Sequence, residues 1–174
     1  SMEVDSSGVY VVYEPRNHSL SNMLVAKYDN QGEQLWTNPF VTSREAEKNW
    51  LVLGPDVVVA VANTENAYDT EDQITVTGAY SRKGGHLQWN HYEPRHSADN
   101  DLEDVVATDG HVVFNRDYGK TLQLEAYQTL LDRNGDRVWR KFISDPHHGY
   151  GISRLTTDTD GEIFQLQSKS GMDI

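Results

Sequence analysis

The chain has 174 residues, enough to bury a real core as one domain, and 37% apolar residues with 10% aromatic ones supply the material to fill it. Its 15 Lys and Arg against 27 Asp and Glu leave a net charge of −12 without any cationic run, which excludes a surface built to neutralise the phosphates of nucleic acid or an anionic membrane. The absence of Cys excludes disulfides, thiolate catalysis and Cys-ligated zinc, and no apolar run approaches the ~18 to 20 residues of a membrane-spanning helix.

Taken in order, the chain opens at the end of a strand (Glu3 to Asp5), turns at Ser6 to Gly8 and continues as the apolar VYVVY. A loop over Glu14 to Ser21 leads to a strand that ends in YDNQGEQLW, Tyr28 to Trp36. After a connection at Asn38 to Lys48, residues 49 to 54 form a strand, Pro55-Asp56 a tight turn, and VVVAV the next strand. The only 3.6-residue apolar spacing in the chain lies at Ser43 to Leu51 and is too short for a sustained helix. A loop at Asn63 to Asp72 is followed by a strand ending in YSRKGGHLQW, Tyr80 to Trp89. The pattern then repeats: a loop at His91 to Asp101, a strand over 102 to 108, Asp109-Gly110, HVVF, a loop at Asn115 to Lys120, and LDRNGDRVW at Leu131 to Trp139. A loop at Ser144 to Tyr150, a strand over 151 to 158 and Asp160-Gly161 before EIFQL close the series.

Two independent markers keep the same phase. The Trp residues at 36, 89 and 139 are 53 and 50 residues apart, and from each Trp to the next tight turn the count is 19, 20 and 21. Val, Ile, Tyr and Thr dominate the runs while Gly, Asp and Asn punctuate them, as strands and hairpin turns select. Each period of about 50 residues therefore holds four short antiparallel strands, with the third and fourth joined by the Asp-x-x-Gly turn. The expected architecture is all-β, one repeat domain over 1–174 made of β-propeller-type blades: a partial blade at 1–40, blades at 49–92 and 102–143, and a partial blade at 151–168. A Trp on each fourth strand is expected to fill the gap to the neighbouring blade, at three equivalent buried sites.

An Asp-Gly turn before a Val/Tyr-rich strand, then a strand ending in YD, then N-x-G-x-x-L-W, resembles the bacterial β-propeller repeats of the SBBP and NHL-like type and, more distantly, quinoprotein-like repeats. The resemblance implies a propeller and says little of function, because such repeats serve adhesins, scaffolds, sensors and some enzymes. About three and a quarter blades are present where closed rings of this type have about six to eight, so the resemblance implies a segment of a longer propeller or a chain that completes its ring as a homodimer.

If these are blades, the tight turns share one rim and the longer connections the other. Loops on a rigid scaffold are where binding groups usually sit, so the long-loop rim is the predicted contact face. The candidate ligand-binding residues are Arg16, His18, Tyr68, His91, Arg95, His96, Tyr118, His147, His148 and Tyr150. Flat aromatic rings and forked guanidinium donors interleaved on loops suit a glycan or a protein partner. His91, His96, His147 and His148 with Asp99 or Asp101 match no ligand spacing, so no metal or other cofactor is expected. The Asp132 to Asp136 turn has the opening of a calcium loop without its later bidentate Glu, which leaves a hairpin turn as its role. No Ser-centred nucleophile elbow, phosphate-cradling glycine loop or HExxH motif is present. The expected function is a binding or scaffold module of an exported protein, extracellular, cell-surface or periplasmic, with a carbohydrate-active or quinoprotein-like enzyme on the same rim as the alternative.

Overall fold

The computed structural model describes residues 1–15, 21–43, 46–65, 73–94, 100–108, 111–120, 123–142, 150–158 and 162–169. All regular elements among them are strands. Sheet 1 contains β1 (Met2–Asp5), β2 (Gly8–Tyr13), β3 (Ser21–Tyr28) and β4 (Gln34–Ser43). Sheet 2 contains β5 (Ala46–Leu53), β6 (Val57–Glu65), β7 (Gln73–Ser81) and β8 (Leu87–Pro94). Sheet 3 contains β9 (Asn100–Thr108), β10 (His111–Lys120), β11 (Gln123–Leu131) and β12 (Arg137–Phe142), and a hairpin follows from β13 (Tyr150–Thr157) and β14 (Ile163–Lys169). Each sheet is an antiparallel meander in which sequential strands are neighbours. The chain separates into two compact units, Ser1–His96 with sheets 1 and 2 and Ser97–Ile174 with sheet 3 and the hairpin.

All six stretches that read as loops overlap a strand: Ser21 opens β3, Asn63 to Glu65 ends β6 and Tyr150 opens β13, and three others are strand over longer runs. Asn115 to Lys120 completes β10, with Arg116 opposite Tyr127, Tyr118 opposite Glu125 and Lys120 opposite Gln123. His91 to Pro94 completes β8, where His91 faces Thr77 and Glu93 faces Thr75. Asn38 to Ser43 belongs to β4, and β5 begins at Ala46. The segment with helical spacing, Ser43 to Leu51, is thus the end of one strand and most of the next. The reason is common to all three: a ladder is held by main-chain groups, so it continues past polar side chains as long as the partner strand does.

In the first unit the two sheets pack through opposite kinds of face. Tyr10 pairs with Lys27 and Lys27 with Trp36, which puts all three on one face of sheet 1, the Trp face. Sheet 2 meets it with the face that lacks its own Trp: Leu51, Val58, Ala60, Ala62, Val76 and Tyr80 join Tyr10, Val12, Met23 and Val25 in one core, with Trp36 and Phe40 packed against it. The fit is close where Gly85 passes Trp36, since a Cβ there would lie 2.5 Å from the indole. Asn38 Nδ2 donates to Gly85 O at 2.9 Å and Tyr80 Oη to Pro39 O at 2.9 Å, so polar groups at the seam also find partners across it.

The second unit repeats the polarity. Asp104, Asn115 and Gln128 form one cross-strand row, and the next row on the same face is Val113, Leu130 and Trp139. β13 lies against β9, β10 and β11, Leu155 is buried, and its amide donates to Asp104 Oδ2 at 2.6 Å. The hairpin therefore stacks on the Trp face of sheet 3 as sheet 2 stacks on the Trp face of sheet 1.

Trp36, Trp89 and Trp139 hold equivalent register positions, opposite Lys27, Ala79 and Leu130, each just past a β-bulge. None is fully buried. The expectation of three buried sites is corrected: each Trp lies on the fourth strand, at the edge of its sheet, and is only partly buried. The Lys141 ammonium sits 4.7 Å from the Trp139 ring, an arrangement that suits such a half-open site.

Candidate functional site

The tight turns of each sheet are closed by their own hydrogen bonds. In the turn after β3, Asp29 Oδ1 accepts from the amides of Gln31 and Glu33, both at 2.9 Å, while Asp29 N donates to Glu33 O and Gly32 N to Asp29 O. The turn after β11 reproduces this with Asp132, Asn134, Gly135 and Asp136. Asp158 does the same between β13 and β14, accepting from the Glu162 amide at 2.9 Å. In the longer turn after β7, Ser81 takes the place of Asp and its hydroxyl accepts from the Gly84 amide at 3.3 Å. Gly32, Gly85 and Gly135 stand four residues before their Trp with φ of 87°, 75° and 82°, a left-handed backbone that Gly adopts without penalty. The Asp132 carboxyl is held below its ordinary pKa by the backbone amides of Asn134 and Asp136. An oxygen already bonded to two amides is spent on the turn, and this explains the Asp in each D-x-x-G without an ion.

At the turn end of the first unit a cationic cluster joins sheets 1 and 2. Arg82, in the turn after β7, donates from Nη1 to Gly54 O (2.9 Å) and Pro55 O (2.8 Å), and its Nη2 forms an ion pair with Asp5. Lys27 is only 6% exposed; its ammonium donates to Ser7 Oγ at 2.9 Å and to Arg82 O at 3.2 Å. Both cations lie over the Tyr10 ring, at 4.9 Å for Lys27 and 5.8 Å for Arg82. Asp5 in turn accepts from the amide and hydroxyl of Ser7. Every member faces another member or a main-chain carbonyl, which fits a clamp between sheets and leaves little to offer a ligand.

The opposite end of sheet 2 carries a buried polar layer on its Trp face. His91 faces Thr77, Glu93 faces Thr75, and Thr75 faces Asn63. Thr75 Oγ1 donates to Asn63 Oδ1 at 2.7 Å, and His91 Nε2 lies 3.8 Å from Glu93 Oε2. Asn63, Thr75, Thr77 and Glu93 are buried and His91 is partly so. An imidazole and a carboxylate at this distance become an ion pair when the imidazole is protonated. Sheet 3 has a related pair, with Gln128 Nε2 donating to the buried Asn115 Oδ1 at 3.2 Å.

Of the ten residues singled out for binding, His91 is the one whose side chain is described; it belongs to β8, beside Glu93. Tyr118 lies within β10 and Tyr150 opens β13, so both are strand residues where loop residues were expected. Arg16, His18, Tyr68, Arg95, His96, His147 and His148 lie outside the described residues. No group of three or more His, Cys, Asp or Glu among the described residues could hold a metal ion, and no helix among them is long and apolar enough to cross a membrane. Sequence reasoning missed Lys27, Arg82, Thr77 and Glu93. Lys27 had a signal, because it continues the buried alternation Met23, Val25, Lys27; Arg82 had none, since its partner Asp5 is 77 positions away. No protein-family model matches the chain, and no curated protein matches it.

Proposed function

We propose that the four-strand sheets are blades of a β-propeller and that the chain is a binding or scaffold module of an exported or cell-surface protein, which contacts a protein or glycan through its long-loop rim. The meander order within each sheet and the stacking of Trp face on the non-Trp face of the next sheet support the blade reading. The observation that carries the choice of rim is the state of the other one. Asp29, Asp132, Asp158, Arg82 and Lys27 are engaged by turn amides and by the seam, so these charged positions of the tight turns serve the fold, while Glu33, Lys83 and Arg133 are exposed there. The partly buried His91, with Tyr118 in β10 and Tyr150 at the start of β13, lies toward the other ends of the strands.

The test is a glycan array and a surface-protein overlay probed with the labelled wild-type chain and with the triple variant His147→Ala, His148→Ala, Tyr150→Ala. The reading expects a retained ligand class that the triple variant loses while its melting temperature stays near that of the wild type. Retention by the triple variant equal to that of the wild type would remove these residues from the contact face.

A further inference from the structure

We propose that the chain associates with a second copy head to tail, the Phe164-bearing face of the β13–β14 hairpin of one copy covering the open face of sheet 1 in the other. The inference concerns sheet stacking and needs no ligand at the rim.

The open face of sheet 1 repeats, position by position, a face that is closed elsewhere in the chain. Met2 pairs with Val11 as Leu51 pairs with Ala60, and Val4 pairs with Val9 as Leu53 pairs with Val58. Val9 in turn pairs with Tyr28 as Val58 pairs with Tyr80. In sheet 2 this apolar set lies under the Trp face of sheet 1, and Leu51 is 2% exposed. In sheet 1 the first-strand positions are open, with Met2 61% and Val4 58% exposed, and Val9, Val11 and Tyr28 are only half-buried. An exposed apolar sheet face of this kind marks an interaction surface.

What covers it is indicated by the two seams inside the chain. Both join unlike faces: the Trp face of sheet 1 on the other face of sheet 2, and the Trp face of sheet 3 on the hairpin. The seam is therefore heterologous, and a free face is complementary to its opposite rather than to itself. The hairpin supplies that opposite. Leu155, paired with Gln165, is buried toward sheet 3, so Phe164 and its partner Thr156 lie on the other side by strand alternation. Both are exposed, Phe164 at 50%. Phe164 follows its Asp-Gly turn on a second strand, as Tyr10 follows Ser7-Gly8, and Tyr10 is the fully buried aromatic at the centre of the first seam. A second copy thus brings an aromatic face in the sense that sheet 1 lacks, and continues an interface that the molecule already builds.

The experiment is the mass of the full chain by light scattering across a concentration series, for the wild type, for Val4→Asp, for Phe164→Asp, and for an equimolar mixture of the two variants. Both substituted side chains are about half exposed or more, so the fold is expected to survive, and far-ultraviolet circular dichroism on each variant checks it. The wild type is expected to rise from 19.7 kDa to at least twice that mass, and each variant alone to stay at 19.7 kDa. The mixture is expected to recover the two-chain species, because the intact Phe164 face of one variant meets the intact Val4 face of the other. A wild type that stays at 19.7 kDa up to its solubility limit overturns the proposal and leaves the face for a different occupant. Variants that still associate place the contact elsewhere, and variants that dissociate but fail to recover on mixing rule out the head-to-tail arrangement; either result also overturns it.

Discussion

Leu51 and Met2 occupy the same register position in consecutive sheets, yet one is closed and the other open. Both belong to a first strand, and each pairs with a small or β-branched residue of the second. The difference comes from the neighbour: the Trp face of sheet 1 covers sheet 2, and nothing among the described residues covers sheet 1 in the same way. Burial in a stack of meanders is thus a property of the seam and not of the sheet that contributes the residue. Tyr80 and Tyr28 show the same contrast in their polar ends. Tyr80 reaches across the seam to Pro39 O, and burial pushes its phenol up. Tyr28 bonds within its own sheet to Gln34 Oε1 and is raised by partial desolvation and by Tyr13 beside it.

Substitutions at paired positions separate the two environments. Leu51→Ala should cost about 2 to 5 kcal/mol and Met2→Ala within about 0.5 kcal/mol, measured by denaturant unfolding. A similar cost at both positions would break the comparison. Gly85→Ala should cost about 2 kcal/mol or more, because it adds a strained left-handed residue and drives a Cβ into Trp36. Its counterpart Gly32 has the same backbone but nothing within 4 Å of the added atom, so Gly32→Ala should cost only about 1 kcal/mol. The gap between the two sharpens the seam's contribution. Arg82→Met should cost about 1.5 to 3 kcal/mol through the carbonyls of Gly54 and Pro55 and the carboxylate of Asp5 that it leaves behind.

The smallest effect is in the turns. The Asp132 carboxyl has its pKa lowered by folding, so the stability it adds is present above its ordinary value of 3.8 and is lost as pH falls through the lower folded value. Asp132→Asn keeps an acceptor for the two amides but loses the charge. The wild type should therefore exceed it in melting temperature at neutral pH, and the two should converge in acid below that range. A difference that persists there would assign the effect to shape and not to charge.

Much of the fold was legible in the sequence because its signals are local. The Asp-x-x-Gly turn works through bonds within five residues, and the four-residue step from Gly to Trp recurs at Gly32, Gly85 and Gly135. Strand ends were less legible. Asn115 to Lys120 and the start of the His91 to Asp101 stretch read as loops by composition, while their pairing is decided by partners that no local window contains. The same limit hid the clamp at Arg82 and the buried layer around His91 and Glu93, both set by strands far apart in sequence. It also bears on the Trp residues, expected at buried sites. Their spacing identifies a repeated position, and only the position of the fourth strand at the edge of its sheet decides how much of each ring stays wet.

The opposite exposure of the matching first-strand positions Met2 and Leu51 can be measured directly because the chain has no native Cys. Met2→Cys and Leu51→Cys variants would be labelled with a maleimide in dilute native solution, each rate being referred to the same variant in denaturant. Rapid labelling of the Met2→Cys thiol is expected, with the Leu51→Cys thiol protected until the protein unfolds. Equal native rates at the two positions would contradict it.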